Sequence, residues 1–294
     1  MIVVTAPTGQ IGRRVVQHLL HAVAPVRVIV RDPARLPAGV REHVEVVEGS
    51  HGDREVVDKA FAGAESVFWL VPPDPRAAGP DAAYSGFSRP ACAAFREQGV
   101  RRVVGVSALG RGTPVAADAG HVTAALALDD LIASTGVGYR ALALPSFMDN
   151  MLRQAELIRE QGMFVSCGPG DRRLPACATR DIAAAAADLL LDGSWSGVEE
   201  VPLLGPEDLS PDDMAHIMSE VLGRPVRHQQ VPVEEFRAGL LRSGMSEAVS
   251  QGLVEMFLAK DAGLDDGVAR TPQNSTHTTF RQWCEEELKP VVLA

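Results

Sequence analysis

The sequence predicts an α/β protein built on a doubly wound parallel sheet. Three observations lead there: six short apolar runs separated by helix-length segments, amphipathic stripes within those segments, and a glycine turn between the first run and the first stripe. The runs cover residues 2–5, 26–30, 44–47, 66–71, 103–107 and 139–144. Repetition of strand and helix implies crossover connections, and right-handed crossovers wind helices onto both faces of the sheet. In the first interval Ile11, Val15, Val16, Leu19 and Leu20 fall at helical spacing, and 55–61 and 89–98 carry similar stripes. Beyond Leu144 the rhythm loosens at Pro145, Pro169 and Gly170, with an alanine-rich helix expected over 181–191 and one more strand over 201–204. From Gly205 the pattern is helical and irregular, and Ser210-Pro211-Asp212-Asp213 reads as an N-cap, a first-turn proline and first-turn acids. The expected division is a first domain over 1–150, with 175–204 returning to it, and a smaller, mostly helical lobe made of 151–174 and 205–294 that holds the substrate.

Bulk composition narrows the function. With 294 residues, 46% hydrophobic and 22% charged, the chain can bury an ordinary core. A formal net charge of −10 argues against nucleic acid, whose binders concentrate Lys and Arg on one face. No apolar run approaches the roughly 20 residues that span a bilayer, and no signal-peptide pattern opens the chain, so a cytoplasmic location without membrane contact is expected. Cys92, Cys167, Cys177 and Cys284 lack CxxC spacing, and the eight histidines form no HExxH-like set, so neither a disulfide framework nor a metal is expected. The expected partner is a small-molecule substrate; a homo-oligomer is left open.

The stretch Thr5-Ala6-Pro7-Thr8-Gly9-Gln10-Ile11-Gly12 follows the first strand and opens the first helix. There Gly9 lets the backbone approach a pyrophosphate, Gly12 lets the helix pack on the sheet, and the helix-start amides hold the anion. The pattern departs at Ala6, where a first glycine is expected, and at Pro7, which has no N–H to offer. Nineteen residues after Gly12 the second strand ends in Arg31-Asp32-Pro33. An acid at this tip suits the ribose 2′-hydroxyl of NAD and an arginine the 2′-phosphate of NADP. Asp32 before Pro33 has a ready role as a helix N-cap, whereas Arg31 has no comparable structural task and can be reinforced by Arg13 and Arg35. NADP is therefore expected ahead of NAD.

With these motifs the chain resembles the NmrA-like branch of the atypical short-chain dehydrogenase/reductases. The resemblance runs over nearly the whole length, through Thr8–Gly12, Val30-Arg31-Asp32, Leu70-Val71-Pro72-Pro73, Val106–Gly110, Pro145–Asn150, Thr179–Ala183, Leu204–Ser210 and Leu222–Val226. It implies a Rossmann domain with a small C-terminal lobe, NAD(P)(H) binding, Val71 and Pro72 beside the cofactor, and quinone-like or other small conjugated acceptors. Some members of the family bind the dinucleotide chiefly to sense redox state. The Tyr-x-x-x-Lys pair of many short-chain dehydrogenases is missing; His121 falls near the tyrosine position and Ala125 near the lysine.

Ser107 ends the fifth predicted strand, where open parallel sheets place their ligands, and its hydroxyl can hydrogen-bond a substrate carbonyl. His121 is the proton-donor candidate, since an ordinary histidine titrates near neutrality. Phe147, Met148 and Asn150 follow the sixth strand and are expected to orient a planar substrate. A hydrolase built on Ser107, His121 and Asp129 or Asp130 is disfavoured, because 105–110 is not Gly-x-Ser-x-Gly. The expectation is an NADPH-dependent reductase acting on a small conjugated or quinone-like acceptor, with a non-catalytic NADP(H) sensor that signals through a protein partner as the alternative.

Overall fold

A computed structural model describes residues 1–294. The chain runs β1 (Ile2–Val4), α1 (Gln10–His21), β2 (Val26–Val30), α2 (Ala38–Arg41), β3 (Glu45–Glu48), α3 (Arg54–Phe61), β4 (Ser66–Trp69), α4 (Phe87–Glu97), β5 (Arg102–Ala108), α5 (His121–Ala133) and β6 (Gly138–Leu144). It continues through β7 (Ser146–Phe147), α6 (Ala155–Gln161), β8 (Met163–Ser166), β9 (Leu174–Cys177), α7 (Thr179–Leu191), β10 (Val198–Pro202), β11 (Asp208–Leu209), α8 (Pro211–Leu222), β12 (Arg227–Gln230), α9 (Val233–Arg242), α10 (Glu247–Asp261), α11 (Phe280–Trp283) and α12 (Lys289–Leu293). Two compact units result, one made of 1–108, 124–143 and 182–201, the other of 109–123, 144–181 and 202–294.

The first unit holds a seven-stranded sheet in the order β10-β6-β5-β4-β1-β2-β3. β1 pairs in parallel with β2 on one side and with β4 on the other, so the winding reverses at β1 and leaves a crevice at the carboxyl ends of β1 and β4. The helical stripe read from the sequence is the buried face of α1: Ile11, Val15, Val16 and Leu19 are all inside, each worth roughly 1.5–3 kcal/mol of burial. Across the sheet, Phe61 stacks on Phe95 at 5.1 Å and Trp69 meets Phe95 edge-on at 5.8 Å. The Trp69 indole N–H donates to Ser88 Oγ at 3.2 Å, so this tryptophan is core. The last sheet strand is Val198–Pro202 where 201–204 was expected. Its run of Val198, Glu199 and Glu200 is exposed, so no apolar signal marks it, and Arg140 pairs with Glu199 at 3.1 Å.

The second unit is nearly as large as the first; it is mostly helical, as expected, and adds two small sheets to its helices. β11, β9 and β7 form one small sheet, and β12 pairs in parallel with β8. Its core gathers Met148, Ile158, Phe164, Met218, Phe280 and Trp283. Segment 109–123 joins this unit although the sequence put it with the first, because a Cβ at Gly120 would stand 2.1 Å from the Gly252 carbonyl oxygen, a backbone approach that only glycine allows. Residues 175–181 belong here for a related reason: Asp149 holds the start of α7 by accepting from Thr179 N (3.0 Å) and Thr179 Oγ1 (2.6 Å). The Ser210 cap is as read, with Ser210 and Asp213 closing a reciprocal capping box and Pro211 in the first turn of α8. No helix is long and apolar enough to cross a membrane.

Candidate cofactor site

The turn between β1 and α1 is held from inside. Thr5 is fully buried; its hydroxyl donates to the Phe68 carbonyl at 3.0 Å and accepts the Leu70 N–H at 2.9 Å, joining the ends of β1 and β4. Ala6 then takes a left-handed conformation, φ 49°, at the place where a first glycine is usual, a strain of roughly 1–2 kcal/mol for a residue with a Cβ. Its carbonyl accepts the Gly9 N–H at 3.1 Å, closing a tight turn in which Pro7 occupies the position prolines favour. Pro7 therefore shapes the turn, which explains a residue with no N–H beside an anion site. A Cβ on Gly12 would lie 2.2 Å from the Ala6 oxygen, so α1 can pack on this turn only with glycine there. Gly9 is the N-cap, no side chain caps the helix, and its first turn contains no acid. The first-turn amides around Gln10, Ile11 and Gly12 thus face outward with the positive end of the helix dipole behind them.

At the end of β2, Asp32 Oδ1 accepts the Ala34 N–H at 3.0 Å as the cap of the short turn at Pro33–Arg35. The acid is thereby used in local structure, while Arg31 and Arg35 stay exposed and pair with no carboxylate. Beside Arg31 sits His51, which sequence reasoning did not single out. Its Nε2–H donates to the Leu70 carbonyl at 3.1 Å, and its ring meets Trp69 and Phe87 edge-on at 5.2 and 4.8 Å. Burial pushes its pKa down to about 4; the bond to Leu70 opposes that shift and the Arg31 charge adds to it. The imidazole is neutral at pH 7. Val71, half-buried against the core, and exposed Pro72 continue the chain from Leu70.

Ser107 is buried near the end of β5, and its hydroxyl donates to Asp129 Oδ2 on α5. Tyr139 of β6 donates to the other oxygen, Asp129 Oδ1, at 2.6 Å. Tyr139 reaches that carboxylate across β5 because residue 105 is glycine: a Cβ there would fall 2.2 Å from the tyrosine oxygen. The Ser107 proton is thus directed inward to a buried carboxylate, and what the hydroxyl offers outward is a lone pair. The expected donation to a substrate carbonyl does not match this geometry.

The remaining sequence candidates lie in the second unit. His121 opens α5, is 5% exposed, and donates its Nε2–H to the Val249 carbonyl of α10 at 3.1 Å. Burial lowers its pKa, opposed by that bond and by the nearby Glu255. Met148 is packed in the second core. Phe147 is half-buried in β7 and Asn150 is exposed on the following turn.

The NAD(P)H-binding family profile matches residues 7–192, and the NmrA-like family profile matches 117–284. This chain belongs to the NAD(P)H-binding, NmrA-like family. It is 32% identical to a (4-alkanoyl-5-oxo-2,5-dihydrofuran-3-yl)methyl phosphate reductase of Streptomyces griseus, covering 97% of each chain. It is 26% identical to an NAD(P)H azoreductase of Xenophilus azovorans, covering 97% of this chain and 96% of that one. Quinone oxidoreductase 2 of Escherichia coli, solved with NADPH, superposes with a TM-score of 0.75 at 21% identity, covering 96% of this chain and 98% of that one.

As an NAD(P)H-binding, NmrA-like protein it has residues suited to the dinucleotide: a turn on which α1 packs closely only with glycine at 12, helix-start amides without an acidic cap, and unpaired arginines at the β2 end. The glycines and Arg31 were legible from spacing. Thr5, His51 and Tyr139 were not, and Asp129 was weighed only as a hydrolase acid, because each acts through a partner 10 to 65 residues away.

Two outcomes are expected. Gly12→Ala should separate α1 from the turn and weaken NADPH binding at least tenfold in a fluorescence titration, with the thermal midpoint reduced by a few degrees. The neutral His51 makes stability depend on pH. Its folded pKa lies below the unfolded value of 6.5, so the unfolded chain takes up the proton first and stability falls as pH drops from 6.5 toward 4. His51→Phe should flatten that slope in urea titrations, by an amount on the order of 3 kcal/mol between the two limits.

Proposed function

We propose that this protein is an NADPH-dependent reductase that passes hydride to a small conjugated or quinone-like acceptor. The observation that carries the cofactor choice is the division of labour at the β2 tip: Asp32 caps its own turn while Arg31 and Arg35 have no carboxylate partner. A ribose 2′-phosphate would complete that corner, through charge-assisted hydrogen bonds to guanidinium. Neutral His51 beside Arg31 adds no competing carboxylate.

The acceptor class rests on two supports. The relatives act, by their names, on an oxo-dihydrofuran, on azo compounds and on quinones. The chain also lacks the Tyr-x-x-x-Lys pair, and the Ser107 proton is held by Asp129. Acceptors whose reduced form spreads its charge over a conjugated system need little acid assistance, unlike simple ketones.

When bound, the reduced nicotinamide supplies the hydride. The protein's share is to fix positions. The α1 amides and Gly9–Gly12 hold the pyrophosphate, Arg31 and Arg35 the 2′-phosphate, and Thr5 keeps β1 and β4 in register beneath them. Asp129 and Tyr139 fix Ser107 with its lone pair outward, suited to accept an amide N–H such as that of a carboxamide. His121 has its Nε2–H committed to the Val249 carbonyl, which ties it to the shape of its own unit.

The test is NADPH oxidation with a panel of quinones, azo dyes and α,β-unsaturated lactones, read at the nicotinamide absorbance band. Turnover with at least one conjugated acceptor and none with simple ketones is expected; absence of turnover with every acceptor would remove the reductase reading. NADPH should bind at least tenfold more tightly than NADH, and Arg31→Ala should erase most of that difference while leaving NADH affinity nearly unchanged.

A further inference from the structure

Three side chains with no place in the cofactor chemistry meet at the end of the β8–β12 ribbon. The parallel register sets Phe164 beside His228 and Ser166 beside Gln230, so Phe164, Ser166 and His228 project from one face. Ser166 Oγ lies 2.8 Å from His228 Nε2, and His228 Nδ1 lies 3.8 Å from Asp212 Oδ1 in the first turn of α8. The imidazole is packed against the Phe164 ring at 5.3 Å and its side chain is only 3% exposed, so its orientation is set by packing. Ser166 is half-buried, as the last residue of β8 before the Gly168-Pro169-Gly170 loop.

The loop is shaped around the acid. Asp212 N donates to the Gly170 carbonyl at 2.9 Å, and a Cβ on Gly170 would come within 2.7 Å of Asp212 Oδ2, so glycine at 170 is what lets the carboxylate lie against the loop. The Asp212 carboxylate is exposed and, at 3.8 Å, acts on the Nδ1 side through its charge, which favours the tautomer protonated there and leaves Nε2 to take the serine proton. Burial lowers the His228 pKa more than Asp212 raises it, which keeps the base unprotonated at neutral pH.

We propose that Ser166, His228 and Asp212 form a nucleophile, base and orienting acid, a second site that takes small esters as acyl donors independently of the reductase chemistry. The acyl group it accepts is neutral or cationic. Asp212 stands at the site, and the Asp261 carboxylate is 3.1 Å from the Cβ position of Gly168, so phosphorylated or other polyanionic donors are repelled. In the first step Ser166 Oγ bonds to the ester carbonyl carbon while its proton moves to His228 Nε2. The C–O bond to the alcohol then breaks and that oxygen takes the proton from His228, leaving acyl-Ser166. Water, deprotonated by His228, hydrolyses the acyl-serine to the carboxylic acid and restores the hydroxyl. Electrons and protons balance without a further reactant.

The experiment uses a fluorophosphonate probe on the full chain, with adducts mapped by peptide mass spectrometry and fluoride as the leaving group. A stoichiometric adduct on Ser166 is expected in the wild-type protein, none on that peptide in Ser166→Ala, and a labelling rate lowered about 10²-fold or more in His228→Gln. Release of nitrophenolate from p-nitrophenyl acetate should be lost with Ser166→Ala, while NADPH binding by the same variant is unchanged. Failure of the wild-type protein to label at Ser166, or equal rates in wild type and a His228→Gln variant of unaltered thermal midpoint, would overturn the proposal. The wild-type mapping needs no variant to fold.

Discussion

The Thr5 hydroxyl ties β1 to β4 at the point where the winding of the sheet reverses. At that point the chain leaves β1 toward β2 on one side and returns to β4 on the other, which opens a crevice between the strand ends. Thr5 satisfies both polar groups of that corner with one buried oxygen. Once it is in place, the Ala6 carbonyl is fixed, Gly9 closes the turn on it, and Gly12 packs against it. Leu70, held by Thr5 through its N–H, presents its carbonyl to His51. The phosphate turn, the β4 end and the arginine corner therefore share two adjacent peptide groups. The left-handed Ala6 is tolerable because its surroundings determine its conformation from three sides.

A related device recurs through both units: a carboxylate accepts two donors and fixes them. Asp129 in the first unit holds Ser107 and Tyr139. In the second unit Asp149 holds the backbone and hydroxyl of Thr179, and Asp181 does the same for Thr278, at 3.1 and 2.8 Å. Removing one partner from such an arrangement leaves a desolvated group without compensation, at roughly 1–3 kcal/mol or more. This gives Thr179-Arg180-Asp181 a physical role: Thr179 and Asp181 bond in opposite directions, and Arg180 adds a bond to Thr278 Oγ1 at 2.9 Å and an ion pair with Glu286.

The strands of the main sheet and α1 were readable in the sequence because burial on both faces or on one stripe leaves a local pattern, as Ile2–Val4 and Ile11 to Leu19 illustrate. Edge strand Val198–Pro202 and the β12 run Arg227–Gln230 were not, since both carry polar side chains and owe their form to backbone pairing. Among site residues, Gly12 and Arg31 could be identified from spacing alone. At His121 the residue type suggests titration near neutrality, while the burial that lowers its pKa and its bond to Val249 come from a helix more than a hundred residues later. Thr5 and Tyr139 were invisible for the same cause, being ordinary residues until a distant strand or helix arrives.

The Thr5 clasp either builds the nucleotide site or merely joins two strands. Thr5→Val keeps the shape of the side chain and removes both hydrogen bonds, so NADPH titration into this variant, alongside its thermal midpoint, separates the two. If the clasp builds the site, the variant folds and its dissociation constant for NADPH is about tenfold higher or more, the equivalent of roughly 1.4 kcal/mol. A folded variant that binds NADPH as tightly as the wild type would contradict that role.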